Sequence, residues 1–356
     1  MKIRRLQIEN LRVIEKLVME PCGGLNFICG PNGAGKTSIL EAIYLLGQGK
    51  SFRHSEAGPF IRNGEISCLV VSELEDGRGV ASRLGIQRGR KQFLARHTGK
   101  DIKRRSELLR LLPVQIVTPQ SHELLERGPE LRRRYLDFGL FHVEQSYHQV
   151  LLSYQRAIKQ RNAALRAGNS RLAVSFDEQL SVLAVKIAAS RGEILQAVEQ
   201  YLQHFLKEMS FSDKVSLVLR SGWKESLPLI DVLKEHLDRD LAQGHTSAGP
   251  HRAELKIQVA GGRAEKHLSR GQQKVLVYGL VFALSRLIVD KKGEAPVLLI
   301  DDLGAELDER NRAALIDYLV DTGEQVFISS VDVPAPSSAP AGARVFHVEH
   351  GTLRAT

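Results

Sequence analysis

Apolar and charged residues alternate through residues 1–20, and short runs of the same kind recur up to about residue 118, the two-residue period of strands that bury one face. One unit interrupts them. The mostly apolar segment Leu25–Cys29 runs into a glycine-rich loop at residues 30–35, after which Ile39, Leu40, Ile43 and Leu46 fall on one side of a helix. A strand, a loop and a helix are therefore predicted in succession, which marks an α/β beginning.

From about residue 120 to residue 211 the period becomes helical. Val150, Leu151, Tyr154 and Ile158 share one face of a helix that stops near Gly168. Leu180, Leu183, Ala184, Ile187, Ile194, Val198, Leu202 and Phe205 form the stripe of a second helix, roughly 50 Å long at 1.5 Å per residue. That is an arm-sized hairpin, too short for an extended coiled coil. After about Leu229 the α/β pattern resumes: a turn at Gly249-Pro250, a strand near residues 253–259, a helix after Arg270, and strands at Val297–Ile300 and residues 325–328. A Pro/Ser/Ala loop at residues 333–340 precedes a last strand at 345–348. The expected organisation is one α/β head formed by residues 1–118 and 229–356, with residues 119–228 inserted as a mainly helical lobe.

A chain of 356 residues has ample capacity for such a core. Its three cysteines, Cys22, Cys29 and Cys68, lack CxxC spacing, so neither a disulfide framework nor a zinc site is indicated, and a cytoplasmic location is expected. The longest apolar run, near residues 275–284, is far below the roughly 20 residues of a membrane span. The net charge of +9 is unevenly spread. Residues 83–110 carry ten Lys/Arg against two acids, 10 − 2 = +8, and residues 131–166 carry seven against two, 7 − 2 = +5, leaving 9 − 13 = −4 elsewhere. Such a zone suits a polyanion, since each neutralised phosphate releases a counterion. Arg90, Lys91, Lys103, Arg104 and Arg105 are the candidate DNA contacts; a solvated charged face is the alternative.

The loop carries the chemistry. Gly30-Pro31-Asn32-Gly33-Ala34-Gly35-Lys36-Thr37, followed by Ser38, satisfies GxxxxGK[ST] between a strand and a helix, the context that gives the motif meaning. Its glycines let backbone N–H groups approach phosphate, Lys36 meets the β and γ phosphates of ATP, and Thr37 ligates Mg²⁺. Asp301, at the end of the strand Val297–Ile300, is the expected second metal ligand, and Asp302 is placed to polarise an attacking water. The twelve histidines show no metal-ligand spacing; His142 and His148 are expected to be partly exposed helix residues.

Leu268-Ser269-Arg270-Gly271-Gln272 resembles the LSGGQ signature of the ABC ATPases, with Arg270 in place of the first glycine. The resemblance implies that Ser269, Gly271 and Gln272 meet the nucleotide on a second subunit, so that ATP joins a homodimer, with Ala305-Glu306-Leu307-Asp308 as the D-loop at the same interface. Lys36 and Ser269 lie 269 − 36 = 233 residues apart, more than a transporter ATPase places there. With Leu6-Gln7-Ile8-Glu9-Asn10-Leu11-Arg12, Lys50-Ser51-Phe52-Arg53, Gly128-Pro129, Arg132-Arg133, Leu136-Asp137, Lys159-Gln160-Arg161-Asn162 and Gly249-Pro250-His251-Arg252, the chain resembles the RecF family of bacterial recombination mediators over nearly its whole length.

That resemblance implies an ABC-type head, Arg12 near the nucleotide, and Gln120 as the Q-loop residue, with Gln115 as the alternative. It also implies duplex or gapped DNA as ligand, RecO and RecR as partners, RecA as the indirect beneficiary, and a nucleoid-associated, non-membrane location. Ser329-Ser330 stands where transporter ATPases carry a histidine, and Asp302 is one methylene shorter than the usual glutamate. Both departures imply slow hydrolysis, and the resemblance implies that DNA stimulates it. The rival readings are an ATPase subunit of a transporter and a nucleotide-gated DNA clamp with negligible turnover.

Overall fold

Two sheets of different construction enclose the glycine-loop helix. The computed structural model describes residues 1–54, 56, 58–331 and 340–354; apart from Pro340, the Pro/Ser/Ala loop lies outside them. Strands β1 (Lys2–Leu11) and β2 (Ile14–Met19) begin an antiparallel sheet; β3 (Leu25–Cys29) leaves it. The sheet continues through β4 (Ser67–Glu75), β5 (Ala81–Gly89), β6 (Phe93–His97) and β7 (Lys100–Asp101), in the order β2-β1-β4-β5-β6-β7. Its alternation places Leu6, Ile8, Val70, Leu84 and Ile86 inward.

The second sheet is fed by both ends of the chain. Its parallel strands are β8 (Val114–Val117), β12 (Val297–Ile300), β13 (Val326–Ser330), β3 and β14 (Arg344–Glu349), with β15 (Thr352–Leu353) antiparallel on the β14 edge. Covered on both faces, these strands are apolar runs rather than alternations. Val297, Leu299 and Phe327 face the helix Lys36–Gln48 and the antiparallel sheet; Leu298, Ile300, Val326 and Ile328 face a layer of helices. Sandwiched this way, Lys36–Gln48 buries Ala42 and Leu45 in addition to its stripe. Gly47 belongs to the same packing, because a Cβ there would meet Val114 Cγ2 at 2.4 Å.

The helical layer contains Pro129–Val143, Tyr147–Arg166, the 32-residue Asp177–Glu208 and Arg270–Lys292. The stripe expected on the long helix is buried from Leu180 to Phe205, with Leu183 half-covered. Gly279 lets the last two helices cross closely, since a Cβ would come within 2.7 Å of Leu202 and Phe205. Arg270–Lys292 is long and apolar enough to cross a membrane, yet 72% of its apolar window is buried inside the protein, as in a core helix. His142, expected to be partly exposed, is 6% exposed, because helix Pro129–Val143 turns that side inward.

A small third sheet joins β9 (Val215–Arg220), β10 (Glu254–Val259) and β11 (Gly262–Arg263) in the order β11-β10-β9. Leu255 pairs with Leu219 and Ile257 with Leu217, so the chain passes from the helical stretch into the final segment through hydrogen-bonded strands. Buried charges in this region are paired, as burial demands. Fully buried Arg161 donates to Asp177 at 2.7 Å, Asp240 at 2.8 Å and Thr246 Oγ1 at 2.8 Å. Arg191 holds both oxygens of Asp137, at 2.8 and 3.1 Å, and the Pro250 carbonyl at 2.9 Å.

Glu324 is the exception. It is 3% exposed, accepts one bond from Ser285 Oγ at 2.9 Å, and its Oε1 has no partner. Burial pushes this carboxyl up from 4.5 to about 7, against the opposing pull of Ser285 and Arg286. A folded-state value above the unfolded one means that the proton stabilises the fold; this contribution is complete below about pH 4.5 and is lost as pH rises through 7. Glu324→Gln, neutral throughout, is expected to raise Tm at pH 8, by on the order of 2 kcal/mol of stability, and to change it little at pH 5. Equal gains at both pH values would show that the carboxyl is not ionising in the fold.

Candidate functional site

Strand β3 delivers the glycine loop to the carboxyl end of the parallel sheet. Gly30 (φ 152°) admits no side chain, since a Cβ would lie 2.2 Å from the Val348 carbonyl oxygen. Gly35 (φ 112°) caps the helix without a side-chain hydrogen bond, and no acid occupies the first turn. The helix N-terminus therefore presents its N–H groups and partial positive charge to the loop. Pro31, Asn32 and Gly33 are exposed, while Gly351 N–H donates to the Ala34 carbonyl at 2.8 Å and pins the loop to the β14–β15 turn. Lys36, 7% exposed, donates to the carbonyls of Gly30 at 2.7 Å and Pro31 at 3.0 Å. Burial lowers its pKa, opposed by the fields of Asp302 and then Asp301. A cradle of backbone donors, one cation and a helix N-terminus is what a chain of phosphates requires.

The carboxylate pair sits opposite. Thr37 Oγ1 donates to Asp301 Oδ1 at 2.9 Å across 264 residues of sequence. This hydroxyl and carboxylate are the hard oxygen donors that suit Mg²⁺ beside phosphates. Asp302 is half-buried and left-handed (φ 59°, ψ 54°), a conformation that costs a non-glycine residue energy and recurs at functional sites. Ser329 holds both acids: its Oγ donates to Asp301 Oδ1 at 2.8 Å and accepts from the Asp302 N–H at 2.9 Å. In the sequence alone Ser329 stands out only as the place where transporter ATPases carry a histidine. The signal that could have found it is a hydroxyl at the end of the strand next to β12. Ser329→Ala is expected to lower the rate of ATP hydrolysis about tenfold through loosened aspartates, with a smaller change in ATP affinity and recovery in Ser329→Thr. An unchanged rate constant in a single-turnover assay would remove Ser329 from this role.

Arg12, in the turn between β1 and β2, is left-handed (φ 56°) and bidentate on Glu41, with Nε at 2.9 Å and Nη2 at 3.1 Å. Glu41 is 1% exposed, lies four residues after Thr37, and also accepts from Ser51 Oγ. Ser51 Oγ in turn accepts from the N–H groups of Arg53 and His54. Glu41 is thus a hub joining Arg12 to the Lys50-Ser51-Phe52-Arg53 stretch, and Phe52 packs edge-on against Tyr44 of the same helix at 5.4 Å. An acid on the buried side of a helix was the only hint of it. Gln120 is exposed in the turn Pro119–His122 beyond β8, at the same sheet end as Asp301. Gln115 alternates onto the side of Val117, facing the helical layer, where its Oε1 is buried without a partner.

Ser269 caps Arg270–Lys292 in a reciprocal box: its Oγ accepts from Gln272 N–H at 3.3 Å and its N–H donates to Gln272 Oε1 at 2.9 Å. Ser269, Arg270 and Gly271 are exposed, and Arg270 pairs with Glu126. Among the described residues no hydrogen bond or ion pair links 268–272 to the loop at 30–37. In the expected D-loop, Leu307 is buried and Asp308 caps helix Glu309–Thr322 through the Asn311 N–H at 2.8 Å. The side chains of Ala305 and Glu306 lie outside the described residues. Of the basic candidates, Arg90 and Lys91 lie between β5 and β6, and Lys103 and Arg104 follow β7; all four are exposed. Arg105 is exposed as well and also donates to the Gln48 carbonyl at the C-terminal end of the loop helix, a position that favours a cation.

Residues 2–354 match the family described as the RecF/RecN/SMC N terminal domain. The chain is 40% identical to the DNA replication and repair protein RecF of Pseudomonas aeruginosa (strain UCBPP-PA14) over 365 aligned positions, spanning 100% of this chain and 98% of that protein. It superposes on the recombination mediator protein RecF-ATP of the RecFOR pathway with a TM-score of 0.88 at 27% identity, covering 99% of this chain and 97% of that one. The head of an Smc protein with an extended coiled coil, bound to a domain of ScpA from Pyrococcus furiosus, shares the fold with a TM-score of 0.63 at 16% identity. The expected ABC-type head built from both chain ends stands, and the chain belongs to the RecF family.

Proposed function

We propose that this chain is an ATP-dependent DNA-binding mediator of replication and repair, in which ATP·Mg²⁺ held by residues 30–38 and Asp301 joins two copies. The observation that supports this most directly is the placement of two half-sites. Pro31, Asn32 and Gly33 of the phosphate loop and Ser269 and Gly271 of the signature are exposed on one chain, with Gln272 half-buried beside them, and among the described residues no hydrogen bond or ion pair joins the two stretches. Each then completes the site of a second copy, an isologous arrangement in which every contact is made twice. Asp302 serves as the base for water, Lys36 neutralises phosphate charge, and Gln120 lies within the same sheet end as the sensor of the metal. Hydrolysis is slow and stimulated by DNA.

The relatives named for DNA replication and repair, and the RecF–ATP structure named for the RecFOR pathway, support duplex or gapped DNA as ligand, with RecO- and RecR-type partners assisting RecA. Exposed Arg90, Lys91, Lys103 and Arg104 supply phosphate contacts that position without reading sequence. The two portions of the head, 1–118 and 229–356, act as one ATPase body and residues 119–228 as its short arm, in the cytoplasm at the nucleoid.

Light scattering with and without ATP·Mg²⁺, followed by addition of duplex DNA with phosphate release monitored, tests the reading. A monomer that becomes a dimer only with ATP, and that hydrolyses faster with DNA, supports it. A mass indifferent to ATP, with DNA changing nothing, leaves the phosphate loop without the clamp.

A further inference from the structure

The stretch that leads into the signature folds back on itself. After β11 the chain makes the single turn Ala264–His267, extends through Leu268 (φ −96°, ψ 142°) and Ser269 (φ −64°, ψ 163°), and starts helix Arg270–Lys292. A chain that breaks one helix and begins another leaves carbonyls that no helix bond takes up. Gln273 takes up two of them. Its Nε2 donates to the carbonyls of Glu265 and Leu268, both at 3.1 Å, and its backbone N–H donates to the Ser269 carbonyl at 2.9 Å. The residue is 5% exposed, while Ser269, Arg270 and Gly271 in front of it are exposed.

Three observations bear on what this amide does. The Ser269 hydroxyl is the acceptor in its bond from the Gln272 N–H at 3.3 Å, so its own proton can donate to a phosphate oxygen. One rotatable bond separates that hydroxyl from the backbone, so the course of the backbone sets where it points. Next, Gln273 Oε1 is buried with no partner. A buried amide paired on one side only departs from full pairing, and such departures cluster at functional sites. Finally, Ala264 and Leu268 are buried and anchor the segment already, but apolar burial is non-directional, whereas hydrogen bonds fix direction.

We infer that Gln273 is the positioning residue of the signature: its amide fixes the backbone that presents Ser269 and Gly271, so that both meet a partner's phosphates without reordering on contact. This rests on the reading that the signature acts across two copies. Gln273 itself touches no nucleotide, and its side-chain bonds reach residues 265 and 268 rather than the phosphate loop of its own chain. Order set in advance lowers the cost of association, and a two-fold dimer gains from it twice.

The test uses the full chain with ATP·Mg²⁺, well below the melting temperature. Gln273→Met keeps the volume of the side chain and removes its donors. Gln273→Asn keeps the amide but draws it back by one methylene, and it carries the test if the methionine variant does not fold. The dimer constant from light scattering is expected to weaken about tenfold in Gln273→Met and less in Gln273→Asn, with the monomer's affinity for ATP unchanged. A fault in presentation belongs to the chain that offers the signature, so it is rescued by another chain. Mixed with Lys36→Ala, which keeps its signature but loses its phosphate cation, Gln273→Met faces one sound signature. The mixture should dimerise and release phosphate beyond the sum of the two variants alone, a gain that a general loss of structure would not show. Three results overturn the inference: a Gln273→Met dimer as tight as that of the unaltered chain, a parallel loss of ATP affinity in the monomer, or a mixture no better than its parts. An unaltered chain that stays monomeric with ATP would sink the clamp, and the inference with it, before any variant is compared.

Discussion

Ser269→Arg is expected to abolish the ATP-dependent dimer while the monomer keeps its affinity for ATP. Ser269 lies far along the chain from the residues that cradle phosphate, and no hydrogen bond or ion pair joins the two groups among the described residues, so the nucleotide site of the mutated chain is untouched. The helix survives as well. Losing the Ser269 cap costs about 1 kcal/mol, whereas Arg270–Lys292 is anchored by Leu276, Leu280, Leu284 and Leu287, all buried in the core. What changes is an exposed small residue that, in the dimer we propose, approaches a partner's γ-phosphate. An arginine cannot fit the space of a serine there, and a two-fold dimer meets the misfit twice. Weakening by at least about a hundredfold follows if each copy costs on the order of 1.4 kcal/mol. Ser269→Ala, which removes the cap and the hydroxyl offered to the partner's nucleotide but adds no bulk, should dimerise less well than the unaltered chain and better than Ser269→Arg. If Ser269→Arg doubles its mass with ATP as readily as the unaltered chain, the signature does not act across subunits.

The parts of this architecture legible in the sequence are those written in consecutive residues. Leu25–Cys29, the glycine loop and the helix behind it were expected where they occur, because a strand, a turn requiring positive φ, and a 3.6-residue stripe are local facts. Val297–Ile300 ending in two aspartates was equally plain. The missed features are pairings across long separations. Ser329 became meaningful only when β13 was laid beside β12, which put its hydroxyl between Asp301 and the Asp302 N–H. Glu41 looked like one more helix residue until Arg12 and Ser51 closed on it from two other segments. His142 reads as a surface residue in a helix rich in charge, and only the packing of that helix against Arg270–Lys292 buries it. Arg105 read as one more cation of a basic run, and the carbonyl at the end of a neighbouring helix gives its guanidinium a structural partner.

Asp302→Asn separates binding from turnover. The left-handed backbone at this position (φ 59°, ψ 54°) is one that asparagine adopts as readily as aspartate, so the N–H bond to Ser329 and the geometry of Asp301 should persist. The substitution therefore removes a charge and a proton acceptor and little else. Without the acceptor, hydrolysis is expected to slow by about 10²-fold or more, the range attributed to a positioned general base. Without the charge, two effects oppose each other. The carboxylate no longer repels the triphosphate, which tightens ATP binding, and Lys36 loses the largest of the fields that raise its pKa against burial. A lysine next to a polyanion remains protonated at neutral pH, so the first effect wins and the ATP-bound dimer outlives that of the unaltered chain. Single-turnover phosphate release and the decay of scattered light after ATP is removed measure the two consequences separately. Slow release with a persistent dimer assigns the base to Asp302, whereas undiminished release would remove Asp302 from that role.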